Sequence, residues 1–215
     1  MEFKKVTREW DTLKKDAMER AKNAAPLVKE GKIVDAKDTV ALLEAVIKPY
    51  DKVNIEGNNQ KQADFLAKCL CQVDPAKIHD LHMVQSVLTL PEHLDVFEKG
   101  IAKKLDMSFS GPQAGRIAQF LQEGKLELGA IHTYLELYGR YFVDLTPRVA
   151  LVAATMADRE GNLFTGFSTE DTPAIVEATK FRQGIVIAQV NKIVDKLPRV
   201  DIPGDWVDYV IQSPK

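Results

Sequence analysis

The sequence predicts an α/β fold in which an open, mostly parallel β-sheet is covered by helices on both faces. Short apolar runs that suit strands alternate along the chain with stretches whose apolar residues recur at helical spacing, as in successive βαβ units. Strand candidates such as GIVIAQV (residues 184–190) are apolar almost throughout, which is typical of parallel strands buried on both faces. With 215 residues the chain is long enough to bury the core of one large domain.

The first elements of the chain are helical. Residues 8–29 carry charges throughout and predict an exposed helix on the surface of the main body, with another subunit as a candidate partner. We therefore expect a charged N-terminal helical segment in residues 1–30 and an α/β domain in residues 31–215. Asp35, with Asp38 three residues later, predicts the start of a second helix in the manner of a capping box.

The segment KVNIEGNNQKQADF (residues 52–65) predicts a strand that runs through a sharp turn into a helix. Val53 and Ile55 alternate with polar neighbours as in a strand, and from Gln60 on the apolar residues recur at helical spacing. We expect a ligand to approach the backbone at this turn.

The turn itself consists of Gly57, Asn58 and Asn59, three residue types that tolerate positive φ. A helix that starts directly behind such a turn exposes its first backbone N–H groups. These unpaired donors, together with the positive end of the helix dipole, favour a phosphate, a carboxylate or a developing oxyanion in front of them.

Further strand candidates alternate with helical patterns after this segment. Thr172 predicts a helix N-cap with Pro173 at the first helical position, whereas the proline-containing tail, residues 197–215, is expected to be extended on the domain surface. The strand candidates are DLHMV (80–84), LDMSF (105–109), LELGAI (126–131) and RVALVAAT (148–155), and the helical patterns between them cover 91–100, 113–122 and 134–142.

Composition excludes several classes of function. A formal net charge of −2, from 29 basic and 31 acidic residues, provides no electrostatic footprint for nucleic acid. The longest apolar runs are far shorter than the roughly 20 residues that cross a bilayer, and no apolar run near the start suits a signal peptide. We therefore expect a cytoplasmic protein without a nucleic-acid or membrane partner.

The candidate binding site lies at the carboxyl ends of the predicted strands, where ligands bind in open α/β sheets. Three segments are expected to meet there: residues 56–60, 108–113 and 131–134. Each offers small residues and neutral hydrogen-bonding side chains, which suits thioesters and carboxylates. The candidate residues for binding substrate and thioester are Gln60, Ser108, Ser110, Gly111, Gln113, His132 and Thr133.

Other polar residues are weaker candidates. Arg116 and Arg140 can hold a carboxylate bidentately, but arginines on helices are usually solvated or in surface ion pairs. A metal site is not expected. Residues three apart on a strand point to opposite faces, and residues two apart on a helix diverge by about 200°, so neither the His79/His82 pair nor the Cys69/Cys71 pair can easily share an ion.

Nearly the whole chain resembles the alpha subunit of malonate decarboxylases, which is an acyl-carrier-protein transferase with a coenzyme A transferase fold. Members of that family are longer, and this chain resembles roughly their first half, one domain of a two-domain subunit. The segments that carry the resemblance are EGNNQKQADF (56–65), DPAKIHDLHM (74–83), PEHLDVFEKGIAKKLDMSFSGPQ (91–113), GAIHTYLELYGRYFVDL (129–145), ADREGNLFTG (157–166), EDTPAIVEA (170–178) and PRVDIPGDWVD (198–208).

The resemblance implies a reaction in which acetate is exchanged for malonate on the thioester of an acyl carrier protein. The implied partners are that carrier, with its coenzyme-A-like prosthetic group, and the other decarboxylase subunits; no cofactor is expected on this chain itself. The attacking carboxylate is already a nucleophile, so the reaction needs oxyanion stabilisation rather than an activated serine or cysteine. The amides of Gly57, Asn58 and Asn59 are candidates for that stabilisation, and Glu56 is a candidate chemical participant or structural group.

Two other functions fit the same resemblance. The first is the transferase subunit of a citrate or citramalate lyase, and the second is a scaffold domain that keeps the fold without the chemistry. Because the resemblance implies a site between two similar domains, we expect this chain to be inactive when it is alone.

Overall fold

The computed structural model describes residues 12–57 and 61–214, whose strands form a single open sheet. The strand order is β1-β2-β10-β9-β7-β3-β4-β5-β6, with β8 paired to β7. Neighbouring strands are parallel except in the β1–β2 and β7–β8 pairs, which confirms the predicted open, mostly parallel sheet. The strands are β1 (Val28–Glu30), β2 (Ile33–Val34), β3 (Lys52–Ile55), β4 (Leu81–Val87), β5 (Ala102–Phe109), β6 (Glu127–Ile131), β7 (Val149–Ala157), β8 (Leu163–Phe164), β9 (Ile185–Ile193) and β10 (Tyr209–Gln212).

Helices cover both faces of this sheet, as predicted. Alternate residues of each strand point to opposite faces, so that Leu151 of β7 packs with α2 to α5 and Val152 packs with α6 and α7. No helix in the described part of the chain is long and apolar enough to cross a lipid bilayer. The helices are α1 (Thr12–Ala24), α2 (Thr39–Val46), α3 (Asp64–Leu70), α4 (Glu92–Glu98), α5 (Ala114–Gln122), α6 (Tyr134–Val143) and α7 (Thr172–Phe181).

The order of the strands reverses beside β3. From β3 the chain adds β4, β5 and β6 in turn on one side, and then returns to place β7, β9 and β10 on the other side. The crevice outside the carboxyl ends of β3 and β7 is therefore the topological switch point, where open α/β sheets bind their ligands. The predicted turn at residue 57 follows β3 directly, so it lies at this point.

The prediction of an extended surface tail for residues 197–215 is wrong. Residues Tyr209–Gln212 form β10, which lies between β2 and β9, and Val210 and Ile211 are fully buried. The prolines of the tail flank this strand without interrupting it, so an apolar run of four residues is free to pair on both sides.

The N-terminal helix is only partly the exposed helix that the sequence predicts. Within α1 most residues are exposed, but the Arg20 side chain is buried and donates to Asp16, Asp51 and the backbone carbonyl of Val46. This helix is thus fixed to the loop before β3. The predicted residues 8–11 lie outside the described part of the chain.

Two predicted helix starts lie close to the observed ones, but their capping contacts differ from the prediction. Asp35 is the N-cap residue of a 3₁₀ turn that leads into α2, but its side chain makes no capping hydrogen bond and pairs with Lys29 at 3.0 Å. Asp171, one residue before the predicted Thr172, occupies the N-cap position of α7, and the Thr172 hydroxyl donates to Glu56.

Candidate active site at the switch point

The residues after β3 form a loop that leaves the sheet and returns to it. Gly57 and Gln62 face each other in an antiparallel bridge, and the backbone N–H of Ala63 donates to the carbonyl of Glu56 at 2.8 Å. We call residues 57–62 the switch loop. It includes Asn58, Asn59 and Gln60, which lie outside the described residues, so the roles suggested for them stay predictions.

Because the switch loop closes on itself, the helix does not start where the sequence suggests. Helix α3 begins at Asp64 rather than at Gln60. The amide of Leu66, in its first turn, already donates to Gln189 Oε1 at 3.0 Å, and Gln189 Nε2 donates to Asp64 at 2.9 Å. The expected free helix N-terminus behind the turn is therefore partly occupied by a side chain from β9.

Gly57 is a glycine for a different reason from the one that the sequence suggests. Its φ is not among the positive values, so an ordinary backbone conformation would suit any residue. A Cβ atom at this position would lie 2.2 Å from Cε1 of His93, which belongs to α4. The requirement for glycine is thus one of space and not of backbone torsion.

Glu56 is buried and bound on every side. Its Oε2 accepts from the backbone N–H of Ala153 at 2.8 Å, while its Oε1 accepts from the Thr172 hydroxyl and lies 2.9 Å from Lys61 Nζ. Burial raises the pKa of Glu56 to about 7, against the opposing charge of Lys61. These contacts tie the end of β3 to β7, to α7 and to the switch loop, and they leave no part of the carboxylate exposed.

A cleft of about 360 Å³ opens beside the switch loop, over the carboxyl ends of β7 and β9. Its polar lining is mostly neutral, and the Phe167 ring is fully exposed at its side. The three segments predicted to meet at the site follow β3, β5 and β6, so they do not include Gln189 and Asn191 of β9, which line this cleft. The interruption of an apolar strand by Gln189 and Asn191 was the available signal. The lining residues are Lys61, Gln62, Asp64, Ala153, Ala154, Thr155, Thr165, Phe167, Ser168, Gln189 and Asn191.

The predicted residues after β5 lie at the same edge of the sheet, but two strands away from Glu56. Since strands are about 4.8 Å apart, this separation is roughly 10 Å. The hydroxyl of Ser108 is buried without a hydrogen-bond partner among the described residues, and Gln113 is buried as well. Ser110 and Gly111 continue from β5 toward α5, and Gly111 has a positive φ of 52°.

His132 and Thr133, at the end of β6, are engaged by protein groups. His132 Nε2 lies 2.8 Å from Asp106, and its Nδ1 lies 3.1 Å from Glu136. Asp106 is also 2.6 Å from His82 Nε2, so one buried carboxylate joins two histidines. The Thr133 hydroxyl caps α6 by accepting from the Glu136 amide at 3.2 Å. A role for His132 or Thr133 in substrate binding would require these contacts to open.

The weaker candidates are in surface ion pairs. Arg116 pairs with Asp95 at 2.8 Å, and Arg140 binds Asp144 with two donors. Residues 12–57 and 61–214 contain no group of three or more His, Cys, Asp or Glu side chains that suits a metal ion. Burial raises the pKa of the free Cys69 thiol to about 11, so this cysteine has no nucleophilic character at neutral pH.

Comparison with known proteins identifies close relatives. The family model described as "Malonate decarboxylase, alpha subunit, transporter" matches residues 9–215. A curated protein of Malonomonas rubra, named "Acetyl-S-ACP:malonate ACP transferase", is 66% identical over 206 residues, which cover 96% of this chain and 37% of that protein. A crystal structure of a Pseudomonas malonate decarboxylase hetero-tetramer in complex with malonate contains a chain with 57% identity and a TM-score of 0.92, covering 95% of this chain and 38% of that one.

A more distant structure supports the fold alone. The acyl-CoA transferase of E. coli O157:H7, crystallised as a thioester complex with CoA, is 18% identical with a TM-score of 0.68, and the match covers 86% of this chain and 50% of that one. The coenzyme A transferase-like fold implied by the sequence is thereby confirmed. The chain spans a little over a third of the length of the two closer relatives.

Proposed function

Because the chain belongs to the malonate decarboxylase alpha subunit family, we propose that it forms part of an acyl-carrier-protein transferase that exchanges acetate for malonate on a carrier thioester. The observation that carries this proposal is the 66% identity, over 96% of the chain, with a relative named for that reaction. The geometry of the switch point is compatible with it.

The proposed reaction joins acetyl-thioester and malonate to give malonyl-thioester and acetate. A malonate carboxylate attacks the thioester carbonyl and expels the carrier thiolate, which gives an acetyl-malonyl anhydride. The thiolate then attacks the malonyl carbonyl of this anhydride and releases acetate. In both steps the negative charge that develops on the carbonyl oxygen needs preorganised donors. The backbone amides of Gly57, Asn58 and Asn59 are our candidates for those donors. No general base is required, which fits a cleft whose lining is mostly neutral.

We propose that Glu56 is an anchor of the switch loop rather than an acyl acceptor. A nucleophilic carboxylate has to reach the thioester carbon, whereas the Glu56 oxygens are buried against Ala153, Thr172 and Lys61. Its ion pair with Lys61 connects the base of the loop to its returning strand. Glu56 therefore acts on the reaction through the loop.

The proposed partners are an acyl carrier protein with a coenzyme-A-like prosthetic group, malonate and acetate as free acids, and the other subunits of a malonate decarboxylase. The neutral side chains of the cleft, among them Asn191, Thr155 and Ser168, suit the amide-bearing thiol arm of such a prosthetic group, because amides are recognised by paired donors and acceptors. We propose that the chain itself holds no cofactor and no metal.

A labelled thioester-exchange assay tests the proposal. Acetyl-carrier protein is incubated with the assembled enzyme and with malonate or citrate, and acetate release is measured. We expect malonate to be the acceptor. Preference for citrate would indicate a citrate lyase type of transferase instead, and no exchange with any acid would indicate a scaffold that has lost the chemistry.

The same assay tests what the 215 residues do alone. Fixing two reactants at reacting distance is worth about 7 to 11 kcal/mol, so a chain that supplies one wall of the site should turn over immeasurably slowly. We expect no exchange by the chain alone, and recovery when the remaining part of the longer subunit is added in trans. Turnover by the chain alone would show that the site is complete, and Glu56 would again be the candidate acyl acceptor.

A further inference from the structure

Gly57, directly after β3, lies against the imidazole ring of His93 on α4. A Cβ atom on Gly57 would lie 2.2 Å from Cε1, 2.7 Å from Nε2 and 3.3 Å from Nδ1 of the imidazole. Real Cβ atoms essentially never approach another heavy atom within 3.0 Å. The His93 ring therefore occupies the space in which a side chain of residue 57 would stand.

Histidine is a costly choice for this position. The His93 side chain is fully buried, and neither ring nitrogen has a hydrogen-bond partner in the described part of the chain. Its neighbours on α4 that face the core, Leu94 and Val96, are apolar and carry no such cost. Burial also lowers the pKa of His93 to about 4, so the ring is neutral at physiological pH, with one N–H donor and one acceptor nitrogen.

The contact also lies at the start of the switch loop, where a shift of the backbone would move the loop. Gly57 is the first residue of the switch loop and takes part in the bridge that closes it. The preceding residue, Glu56, is held by Thr172 of α7 and by Lys61 of the loop itself. The His93 ring presses on the loop from the other face of the sheet, where α4 packs. The base of the loop thus lies between the buried side chains of Thr172, on one face of the sheet, and His93, on the other.

We propose that His93 is a positioning residue of the switch loop: its ring sets the place and direction in which the backbone leaves β3 at Gly57. The proposal rests on the proposed function, because the loop that His93 positions is the one whose amides are our candidates for oxyanion stabilisation. His93 acts through Gly57 and does not need to touch the substrate.

A double-substitution cycle in the assembled enzyme tests the contact itself. A misplacement of about 1 Å costs roughly 100-fold in rate, so Gly57→Ala should lower kcat for malonate exchange by about that factor. His93→Ala alone should lower kcat by a smaller factor, because the backbone at Gly57 loses its contact with the ring but no steric clash is introduced. In the double variant the methyl group introduced at position 57 enters the vacated space, so exchange should be at least about tenfold faster than in Gly57→Ala.

Two matched controls separate positioning from packing. Gly115→Ala, at an exposed helical glycine with nothing within 4 Å of its Cβ direction, should leave exchange unchanged. Leu94→Ala shortens a fully buried neighbour on the same helix, so it should lower the thermal unfolding midpoint with kcat retained. His93→Ala should instead lower kcat while KM for malonate stays within about twofold, since an interaction expressed in the transition state is lost.

The same four proteins are also compared by thermal unfolding, a measurement that does not depend on the proposed function. The thermal unfolding midpoint of the double variant should exceed that of Gly57→Ala, and if Gly57→Ala does not fold, recovery of folded protein in the double variant is the same rescue. A double variant that is no better than Gly57→Ala in midpoint and in exchange would overturn the proposal. So would equal loss of kcat in His93→Ala and Leu94→Ala. Absence of exchange in the unsubstituted enzyme would refute the proposed function, while the midpoints would still decide the contact.

Discussion

The polar side chains at the two edges of the sheet are paired in opposite ways. At the amino edge, just before β3 and β7, six charged side chains form one network of ion pairs, in which Lys48 also binds Glu19. Asp16 accepts from Arg20 at 2.7 Å, from Arg148 at 2.8 Å and from Lys48 at 2.9 Å, and Arg20 also binds Asp51. Each charge of this network therefore has a partner within the described part of the chain.

At the carboxyl edge, by contrast, several buried polar groups have no hydrogen-bond partner among the described residues. An unpaired buried donor or acceptor costs about 1 to 3 kcal/mol, so a protein selected for stability alone would replace these side chains by apolar ones. The cost falls on the edge where we propose that the carrier thioester binds. The groups without a hydrogen-bond partner in the described residues include the Gln85 amide, Thr89 Oγ1, both His93 ring nitrogens, Ser108 Oγ and Asp171 Oδ1.

The acidic groups of the two edges also differ in the direction of their pKa shifts. Burial by itself raises the pKa of Asp16, but hydrogen bonds from Lys48, Arg20 and Arg148 outweigh it and lower that pKa well below the ordinary value. Burial raises the pKa of Glu56 to about 7 because Lys61 offsets only part of the desolvation. The amino edge therefore stabilises charge, whereas the carboxyl edge holds an acid, Glu56, that is only partly ionised at neutral pH.

The largest loss of stability is expected from a substitution that breaks the amino-edge network. Arg20→Met removes the buried guanidinium and leaves the Asp51 carboxylate without its ion pair, which should lower the free energy of unfolding by about 3 to 5 kcal/mol. Urea-induced unfolding measures the loss. The exposed Lys29 and Asp35 pair is the control, because Lys29→Met should cost less than about 1 kcal/mol. Equal small losses in both variants would contradict the difference between a buried and an exposed pair.

The next effect concerns pH at the carboxyl edge. The folded pKa of Glu56 is raised from 4.5 to about 7, so its contribution to stability is fully present below pH 4.5 and is lost as the pH rises to about 7. The loss should amount to about 3 kcal/mol at most. Glu56→Gln should remove this dependence, which is measured as the difference between the unfolding free energies of the two proteins at about pH 5 and about pH 8.

Asp16 provides the opposite sign for comparison. Its folded pKa is lowered, so its contribution is present above its ordinary pKa of 3.8 and is lost as the pH falls through the folded value. Asp16→Asn should therefore change the acid limb of the stability curve and leave the interval between about pH 5 and pH 8 as it is. If the unfolding free energy of Glu56→Gln changed with pH over that interval in parallel with that of the unsubstituted protein, the pH dependence would not come from Glu56.

A smaller change, and a gain in stability rather than a loss, is expected from a substitution at Gln85. Its amide is fully buried on β4 without a partner in the described residues, so Gln85→Met, which keeps the volume, should raise the free energy of unfolding by about 1 kcal/mol or more. Exchange activity should fall if the amide serves the site. A loss of stability in this variant would indicate that the amide is already satisfied, and the proposed contrast between the edges would fail at this position.

The smallest effect, none at all, is expected from metal removal. Exhaustive chelation of the assembled enzyme should leave malonate exchange unchanged, since the proposed chemistry uses backbone amides and a carboxylate nucleophile. Exchange that is lost on chelation and recovered on adding zinc would show that a metal takes part.

The fold was largely predictable because the buried parallel strands are apolar in sequence. RVALVAAT and GIVIAQV correspond to β7 and β9, which lie in the middle of the sheet and are buried on both faces. The position of β10 was not predictable in the same way. Its four residues lie between prolines, and only pairing with β2, early in the chain, makes them a central strand.

The site was predictable in its location and not in its detail. A glycine after a strand indicated the switch point, but the reason for Gly57 is the ring of His93, and that contact exists only when α4 packs on the sheet. The anchoring of Glu56 by Thr172 likewise joins residues 116 positions apart. Local patterns identify residues that a loop can use; contacts between distant elements decide which of them are already occupied.

Amide hydrogen exchange compares the two edges directly and tests the central claim that the carboxyl edge, at the switch point, is where the carrier thioester binds. The assembled enzyme is measured with and without acetyl-carrier protein and malonate. We predict that peptides covering residues 56–63 and 153–168 become protected, and that peptides covering 12–24 and 48–52 do not change. Protection confined to the amino-edge peptides, or no protection at the switch loop during active exchange, would contradict the account.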